Sequence, residues 1–261
     1  MSYSGKTALV VGLARSGIAT ARVLNSLNVK VIANDIKMCD QLEDAIKCLD
    51  NPDIDFCLGC TPDNLVEKAD FIVISPSVPI DSSFIQKAKS LGIEVISEIE
   101  LASRLCKAPI IAITGTNGKT TTVTLTGEIL KESGKSTYVA GNIGKPFIEK
   151  AMELKPDDIA VVEVSSFQLE AIRRFRPFIA AVLNITEDHL NRHKTMDNYI
   201  AMKARIFENC RPDDWVVLNA DDPETAALGT KTNAHVVYFS RRKELQRGAW
   251  VQNGMIILNL G

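Results

Sequence analysis

The feature that most constrains this chain is a glycine-containing turn between an apolar strand pattern and a helical pattern. The turn consists of Gly115, Thr116, Asn117, Gly118, Lys119, Thr120 and Thr121. Glycines in such a turn let backbone amides approach an anion closely, and the N-terminus of the next helix adds a partial positive charge. Lys119 can reach the β- and γ-phosphates of a nucleotide, and the Thr120 hydroxyl can bind Mg²⁺. The turn therefore predicts a nucleotide site.

The turn is a shortened form of the usual phosphate-loop pattern GxxxxGK[ST], because Ile113 stands where that pattern has its first glycine. The alternative interpretation is a glycine-rich helix start followed by a surface lysine. A strand at 110–114, the turn and a helix at 119–133 follow one another in the order that a phosphate loop requires. That order favours nucleotide binding.

Short β-branched runs alternate with helical stretches along the chain, which is typical of parallel α/β sheets. Two series of such elements meet near Ser97, and each has its own nucleotide-type glycine turn. We therefore predict two domains in an α/β fold. Residues 1–97 form a Rossmann-like parallel-sheet domain, and residues 98–261 form a P-loop ATPase domain. Near the end, Asn253-Gly254 between two apolar runs predicts a β-hairpin.

The first glycine turn, Gly12–Gly17, is followed by Asp35 at the end of the second strand pattern. This arrangement is similar to a dinucleotide fingerprint, GxGxxG with an acidic residue on the ribose. Ala14 replaces the second glycine, and that glycine is the one that lets a pyrophosphate approach closely. A dehydrogenase would also leave the second glycine turn unexplained.

The composition favours a protein with a large core and excludes several classes of partner. Hydrophobic residues make up 46% of the 261 residues, and the net charge of −2 provides no positive field for nucleic acid or an anionic membrane. No apolar run approaches the roughly 20 residues that a membrane-spanning helix needs, so we expect a cytoplasmic protein. Cys57 and Cys60 form a CxxC without a second pair, which favours free thiols over zinc.

Further motifs follow the phosphate loop in a specific order. They are Gly141–Gly144, Glu163–Gln168, Asn184–His189, Lys203 on a helical stretch, and Asn219–Asp222. Together with the loop, they resemble the Mur ligases and their folylpolyglutamate synthetase relatives over essentially the whole chain. The SSFQLE and NITEDHL-x-RH stretches are most similar to the members that add D-glutamate. The family's C-terminal Rossmann-like domain is absent from this sequence.

The resemblance implies an ADP-forming ligase of peptidoglycan precursor synthesis that acts through an acyl phosphate. The substrates implied are UDP-N-acetylmuramoyl-L-alanine, D-glutamate and ATP, with Mg²⁺ at two sites, in a monomer. An L-alanine-adding Mur ligase and a non-catalytic UDP-sugar-binding module stay open as alternatives. Because the third domain of the family is absent, we expect this chain to bind the UDP-sugar and to ligate poorly.

Four side chains are the candidates for catalysis: Lys119, Glu163, His189 and Lys203. Glu163 ends an apolar strand, where α/β sheets bind ligands, and its carboxylate suits a Mg²⁺ shared with Thr120; a structural arginine pair is the alternative. The resemblance implies that His189 and a carbamylated Lys203 hold a second Mg²⁺. His189 and His193 are four residues apart, but without the glutamate of HExxH or a third ligand a zinc site is disfavoured.

The resemblance also assigns residues to the substrates. The candidates for the UDP-sugar are Leu13, Ala14, Arg15, Ser16, Asp35, Ser77, Asn142 and His189. Backbone amides around Leu13–Ser16 are expected to take the diphosphate, and Asp35 is expected near the uracil or ribose. Ser77 stands where the family has a glycine. Asn142, Asn184 and Thr186 are expected to position the γ-phosphate and the reacting carboxylate.

Overall fold

The computed structural model describes residues 3–49, 53–142 and 144–260. By its contacts the chain divides into two compact units. The first unit comprises Met1–Cys106, Lys145–Glu153 and Glu170–Arg173, and the second comprises Lys107–Gly144, Leu154–Leu169 and Arg174–Gly261.

The strands run in chain order from β1 to β13. They are β1 (Thr7–Val11), β2 (Lys30–Asp35), β3 (Ile54–Leu58), β4 (Phe71–Ile74), β5 (Glu94–Ser97), β6 (Ile110–Thr114), β7 (Thr137–Gly141), β8 (Ile159–Glu163), β9 (Ile179–Val182), β10 (Trp215–Asn219), β11 (His235–Ser240), β12 (Gly248–Gln252) and β13 (Met255–Asn259).

The α-helices alternate with these strands through most of the chain. They are α1 (Arg15–Ser26), α2 (Glu43–Cys48), α3 (Ser83–Ser90), α4 (Glu98–Leu105), α5 (Lys119–Glu132), α6 (Ile148–Ala151), α7 (Ser166–Leu169), α8 (Leu190–His193), α9 (Met196–Ala204) and α10 (Pro223–Ala227).

The first unit contains a parallel sheet in the order β3-β2-β1-β4-β5. Strands β1 and β4 are almost continuously apolar and buried, as expected where helices cover both faces of a parallel sheet. The glycine turn after β1 requires its glycines. Gly12 has φ +89°, and a Cβ on Gly17 would lie 1.8 Å from the Gly12 carbonyl oxygen. The predicted α/β fold with a parallel N-terminal sheet is confirmed.

The second unit contains a sheet in the order β13-β12-β11-β10-β9-β6-β8-β7. Its strands pair in parallel except for β12 and β13, which pair antiparallel and make the sheet mixed. Asn253 and Gly254 both have positive φ, +50° and +75°, between these two strands. Two successive residues with positive φ are the geometry of a tight hairpin turn, so the predicted hairpin is confirmed.

The first unit extends beyond the predicted boundary at Ser97 and includes α4. Ile99 and Leu101 of this helix are fully buried. Two buried carboxylates of α4 also accept hydrogen bonds from distant backbone amides: Glu98 Oε1 from Ile148 N at 2.7 Å, and Glu100 Oε2 from Arg173 N at 2.9 Å. These contacts explain why 145–153 and 170–173, which lie between strands of the second sheet in sequence, belong to the first unit.

Within the described ranges, no helix is long and apolar enough to cross a membrane. The cysteines, Cys57 and Cys60 included, are free thiols. The side-chain amide of Asn34 donates to the carbonyl oxygens of Cys57 and Cys60 at 2.8 and 3.0 Å. The CxxC backbone is therefore held against β2 by a buried asparagine.

Glu98 makes the stability of the chain depend on pH. Burial above all, and then the nearby Glu149, raise the pKa of Glu98 to about 7, although the amides of Ile148 and Phe147 oppose the rise. A carboxyl group with a raised pKa in the folded state loses stability as pH rises from its unfolded pKa towards the folded one. Glu98→Gln removes this titration and keeps an acceptor for the amides. We expect the free energy of unfolding of the variant, relative to wild type, to rise by about 2–3 kcal/mol between pH 5 and pH 8.

Urea unfolding at four pH values measures this difference. Glu149→Gln, at an exposed position, is the control and is expected to shift the curve much less. Parallel pH profiles for wild type and Glu98→Gln would contradict the prediction.

Candidate functional site

The phosphate loop connects β6 to α5 and needs a glycine at both ends. Gly115 has φ +155°, and a Cβ there would lie 3.0 Å from the Leu183 Cβ atom. Gly118 has φ +79° and is the N-cap of α5. This left-handed residue lets the chain enter the helix directly from the turn. The sequence-based prediction of strand, turn and helix agrees with these elements.

Two lysine side chains converge on one carbonyl oxygen of the loop. Lys119 Nζ donates to Gly115 O at 2.9 Å and to Thr116 O at 2.7 Å. Lys203 Nζ reaches the loop from α9 and donates to Gly115 O at 2.8 Å. The structure therefore brings together two of the candidate catalytic residues, separated by 84 positions in sequence.

Lys203 is buried, with 2% of its surface exposed. Burial above all, and then the positive charge of Lys119, lower the pKa of Lys203 to about 7, while Asp188 has the opposite effect. A substantial fraction of its amine is therefore uncharged at neutral pH. An uncharged lysine amine is a nucleophile.

Glu163 lies at the end of β8 beside the loop, and its two carboxylate oxygens have different partners. Thr120 Oγ1 donates to Oε2 at 2.9 Å, and Asn142 Nδ2 donates to Oε1 at 3.1 Å. The contacts described for Glu163 include no arginine, so they do not support the alternative of a structural arginine pair. A hydroxyl and a carboxylate in contact supply the hard oxygen ligands that Mg²⁺ prefers, so these two side chains fit that ion.

The segment after β9 holds the loop from the other side. Asn184 Oδ1 accepts from Asn117 N at 2.8 Å, and Asn184 Nδ2 donates to Asn117 O at 3.0 Å. Thr186 N donates to Thr116 Oγ1 at 3.0 Å, and this hydroxyl donates in turn to Thr186 O at 3.1 Å. In this structure Asn184 and Thr186 hold the loop itself, a role that the sequence did not reveal.

Tyr199 connects His189, Lys203 and the loop. Its hydroxyl lies 3.3 Å from Thr116 Oγ1, and its ring centroid lies 4.6 Å from Lys203 Nζ. The His189 ring lies edge-on to it at 6.5 Å and packs at 4.9 Å against Phe167. Sequence reasoning missed this tyrosine. Its position four residues before Lys203, on the same face of α9, was the available signal.

His193 is buried and its Nε2 atom lies 3.0 Å from Ser166 Oγ. Its ring also packs against Phe167 and Tyr199. Among the described residues, no group of three or more His, Cys, Asp or Glu side chains is arranged to hold a metal ion. The contacts of His193 are those of a histidine in the core.

The first unit has a cavity of about 730 Å³ beside its glycine turn. Four of the candidate UDP-sugar residues line it: Leu13, Ala14, Asp35 and Ser77. Arg15 and Ser16 are not among its lining residues. The Asp35 carboxylate accepts from Leu13 N at 2.8 Å and from Lys37 N at 2.9 Å. The Leu13 amide was expected to bind a diphosphate. It donates instead to Asp35, whose side chain points towards the glycine turn.

Comparison with known families identifies the chain. A family model described as "Mur ligase middle domain" matches residues 113–256, which is more than half of the chain. The chain belongs to the Mur ligase family. A second model, "Mur ligase MurD-like, N-terminal domain", matches residues 6–97. The resemblance seen in the motifs is therefore confirmed.

Individual relatives agree with the family match. The chain is 49% identical to a UDP-N-acetylmuramoylalanine–D-glutamate ligase of Thermoanaerobacter sp. over 100% of its own length and 57% of the relative's. It is 50% identical to the enzyme of that name from Geotalea daltonii over 98% of its own length, again covering 57% of the relative. The chain thus spans little more than half the length of these curated relatives.

Solved structures share the fold. A UDP-N-acetylmuramate:L-alanyl-gamma-D-glutamyl-meso-diaminopimelate ligase from Neisseria meningitidis matches with a TM-score of 0.61 and 18% identity, over 94% of this chain and 82% of that one. A murein peptide ligase from Psychrobacter arcticus matches with a TM-score of 0.55 and 15% identity, over 94% of this chain and 57% of that one. At these identities the comparison supports the α/β fold of Mur ligases alone.

The backbone beside Glu163 leaves no room for a side chain at Gly141. Gly141 has φ +120°, and a Cβ there would lie 2.1 Å from the Glu163 carbonyl oxygen. We expect Gly141→Ala to lower the free energy of unfolding by about 3 kcal/mol or more, because strain and a backbone clash add. Gly134 also has positive φ, +80°, but open space around it, so Gly134→Ala is expected to cost only about 1–2 kcal/mol.

Chemical unfolding of both variants measures the difference. Equal losses of stability in the two variants would contradict the prediction. They would show that the chain relieves the clash between residue 141 and Glu163 without a cost in free energy.

Proposed function

We propose that this chain provides the UDP-sugar-binding and ATP-binding parts of the ligase that adds D-glutamate to UDP-N-acetylmuramoyl-L-alanine in peptidoglycan precursor synthesis. The observation that carries the proposal is the set of contacts on one phosphate loop. Thr120 and Glu163 meet where the loop enters α5, and Lys119 and Lys203 share the Gly115 carbonyl oxygen. The 49% identity to a relative with that activity, over the full length of this chain, supports the choice of substrates.

The proposed reaction has two steps. A carboxylate oxygen of UDP-N-acetylmuramoyl-L-alanine attacks the γ-phosphorus of ATP, so that the bond to the β-phosphate breaks and an acyl phosphate and ADP form. The amino group of D-glutamate then attacks the acyl carbon and loses a proton, and inorganic phosphate leaves with the electron pair of the broken C–O bond. Because two anions meet in the first step, positioning and positive charge supply most of the catalysis.

Residues of the loop suit the first step. The backbone amides from Gly118 to Thr121 and the Lys119 ammonium would bind the β- and γ-phosphates, while the amides of Thr116 and Asn117 donate to Asn184. Thr120 and Glu163 would hold Mg²⁺, which neutralises phosphate charge when bound. The assignment of Asn142 and His189 to the sugar substrate stays a prediction.

Lys203 is proposed to be carbamylated and to hold a second Mg²⁺ together with His189. The uncharged amine attacks carbon dioxide, an N–C bond forms while one C=O π bond breaks and its electron pair moves to oxygen, and the nitrogen loses a proton to solvent, which leaves an anionic carbamate. The pKa of about 7 supports this step because the amine need not be deprotonated at great cost. The product keeps one N–H, so the hydrogen bond to the Gly115 oxygen can persist. Its negative charge would attract Lys119, whose positive charge disfavours the protonated form of the unmodified amine.

The cavity beside the first glycine turn is proposed to take the uridine diphosphate part of the sugar. Ala14, Asp35 and Ser77 line it. The N-terminus of α1 suits the diphosphate, since the helix dipole favours an anion there. We further propose that the protein is monomeric and cytoplasmic.

The variant Lys119→Ala tests whether the nucleotide and the UDP-sugar bind at separate sites. We expect the variant to bind Mg²⁺–ATP about tenfold to a hundredfold more weakly, because a charge-assisted hydrogen bond to phosphate is lost. The affinity for UDP-N-acetylmuramoyl-L-alanine is expected to be unchanged, since the two loops belong to different units. Calorimetry on wild type, Lys119→Ala and the exposed-lysine control Lys135→Ala measures both affinities.

The same titrations compare UDP-N-acetylmuramoyl-L-alanine with UDP-N-acetylmuramate and NADH. Tighter binding of NADH than of either sugar nucleotide, or loss of both ligands in Lys119→Ala, would count against the proposal.

Carbamylation of Lys203 is expected to depend on pH. With a pKa of about 7, the reactive amine is available above neutrality and is lost as pH falls below 7. Carbon-13 NMR with labelled bicarbonate should show a protein carbamate signal that grows from pH 6 to pH 8.5. Lys203→Arg should lack that signal, because its guanidinium stays protonated. An unchanged signal in Lys203→Arg would place the carbamate elsewhere.

A further inference from the structure

The Asn219–Asp222 motif has no part in the proposed chemistry so far. It follows β10, which pairs with β9 in the second sheet. The segment after β9 contains Asn184 and Thr186, the two residues that hold the phosphate loop. The motif and that segment therefore lie at the same edge of the sheet.

The carboxylate of Asp222 has two separate tasks. Its Oδ1 atom accepts from Thr225 N at 3.1 Å and caps α10, and its Oδ2 atom accepts from Ile185 N at 2.7 Å. Capping alone would need one oxygen. The second oxygen reaches a residue 37 positions earlier, on the neighbouring strand end.

Ile185 lies between the two residues that contact the loop. The Asn184 side chain makes two hydrogen bonds to the Asn117 backbone, and Thr186 N donates to Thr116 Oγ1. Ile185 is itself 4% exposed, so its amide has little access to water if Asp222 is removed. Asn219 supports the same segment by donating to Leu183 O at 2.9 Å.

We propose that Asp222 is a positioning residue for the phosphate loop. It fixes the backbone of 184–186, and that segment fixes Thr116 and Asn117, whose amides donate to Asn184 within the loop that binds the nucleotide in the proposed function. The inference rests on that function for its effect on nucleotide binding. The physical coupling of Asp222 to the loop is independent of it.

Asp222→Asn is the sharpest variant because it preserves shape. The asparagine oxygen can keep the cap on Thr225, while its NH₂ group faces the Ile185 N–H and cannot accept. Asp222→Ser is the second variant, since a serine also caps a helix but is too short to reach Ile185. Asp221→Asn is the matched control. The Asp221 carboxylate accepts from Ser240 Oγ and Arg241 N, at 2.6 and 2.7 Å, on the β11 side.

Hydrogen–deuterium exchange tests the coupling without any nucleotide. In Asp222→Asn and Asp222→Ser, amide exchange in peptides covering 115–118 and 184–186 is expected to rise about three- to tenfold over wild type, because a backbone hydrogen bond to a charged acceptor is lost. Asp221→Asn is expected to leave exchange in both segments unchanged. Wild-type exchange rates at 115–118 in both Asp222 variants would overturn the inference, as would an equal rise in Asp221→Asn.

Calorimetry with Mg²⁺–ATP tests the consequence for the site. Asp222→Asn is expected to weaken binding about three- to tenfold and to leave the affinity for UDP-N-acetylmuramoyl-L-alanine unchanged. In a double-mutant cycle, Asp222→Asn should cost less once Asn184→Ala has removed the two side-chain hydrogen bonds to Asn117. Fully additive losses of affinity would overturn the inference that Asp222 acts through residues 184–186. If loop exchange is faster in the Asp222 variants but the wild-type chain binds no Mg²⁺–ATP, the proposed function is refuted and the positioning role of Asp222 remains.

Discussion

The phosphate loop of the second unit depends on hydrogen bonds that hold it from outside the turn. A turn outside the ladder of a sheet needs partners for its own N–H and C=O groups, so neighbouring segments must supply them. Here the hydrogen bonds come from the segment that follows β9 and from a lysine side chain on α9. Asn184 holds the Asn117 backbone, Thr186 holds Thr116, and Lys203 reaches the Gly115 carbonyl oxygen. The loop keeps its shape because parallel strands end at one edge of the sheet.

Strand order explains which residues meet at that edge. The loop follows β6, which lies between β9 and β8, so the side chains after those two strands are its immediate neighbours. Glu163 comes from β8, and Asn184 follows β9. Strand β10 is one position farther away, and Asp222 acts through Ile185 instead of touching the loop. Distance from β6 in the sheet thus separates the direct contacts from the indirect ones.

Sequence patterns predicted those parts of the site that depend on local order. The turn at Gly115–Gly118 and the strand-end position of Glu163 follow from the strand–loop–helix pattern alone. The roles of Tyr199 and Asp222 could not be predicted this way, because each depends on side-chain direction and on a partner far away in sequence. For the same reason the sequence did not predict the hydrogen bond between Glu98 and the amide of Ile148. Without that contact, α4 was predicted to begin the second domain. Lys203 was found through family resemblance, since a lysine on a helix ordinarily faces solvent.

The Asn184 side chain serves the loop as a hydrogen-bonding partner that a backbone segment would otherwise provide. Its amide group gives and receives one hydrogen bond with a single residue of the loop, as a peptide unit of an adjacent strand would do. Aspartate at this position would offer no donor, and glutamine would carry the same amide one methylene too far. Leucine has the same length but neither a donor nor an acceptor, and serine is too short to make both bonds. Asparagine therefore combines the length, the donor and the acceptor that the two hydrogen bonds to Asn117 require.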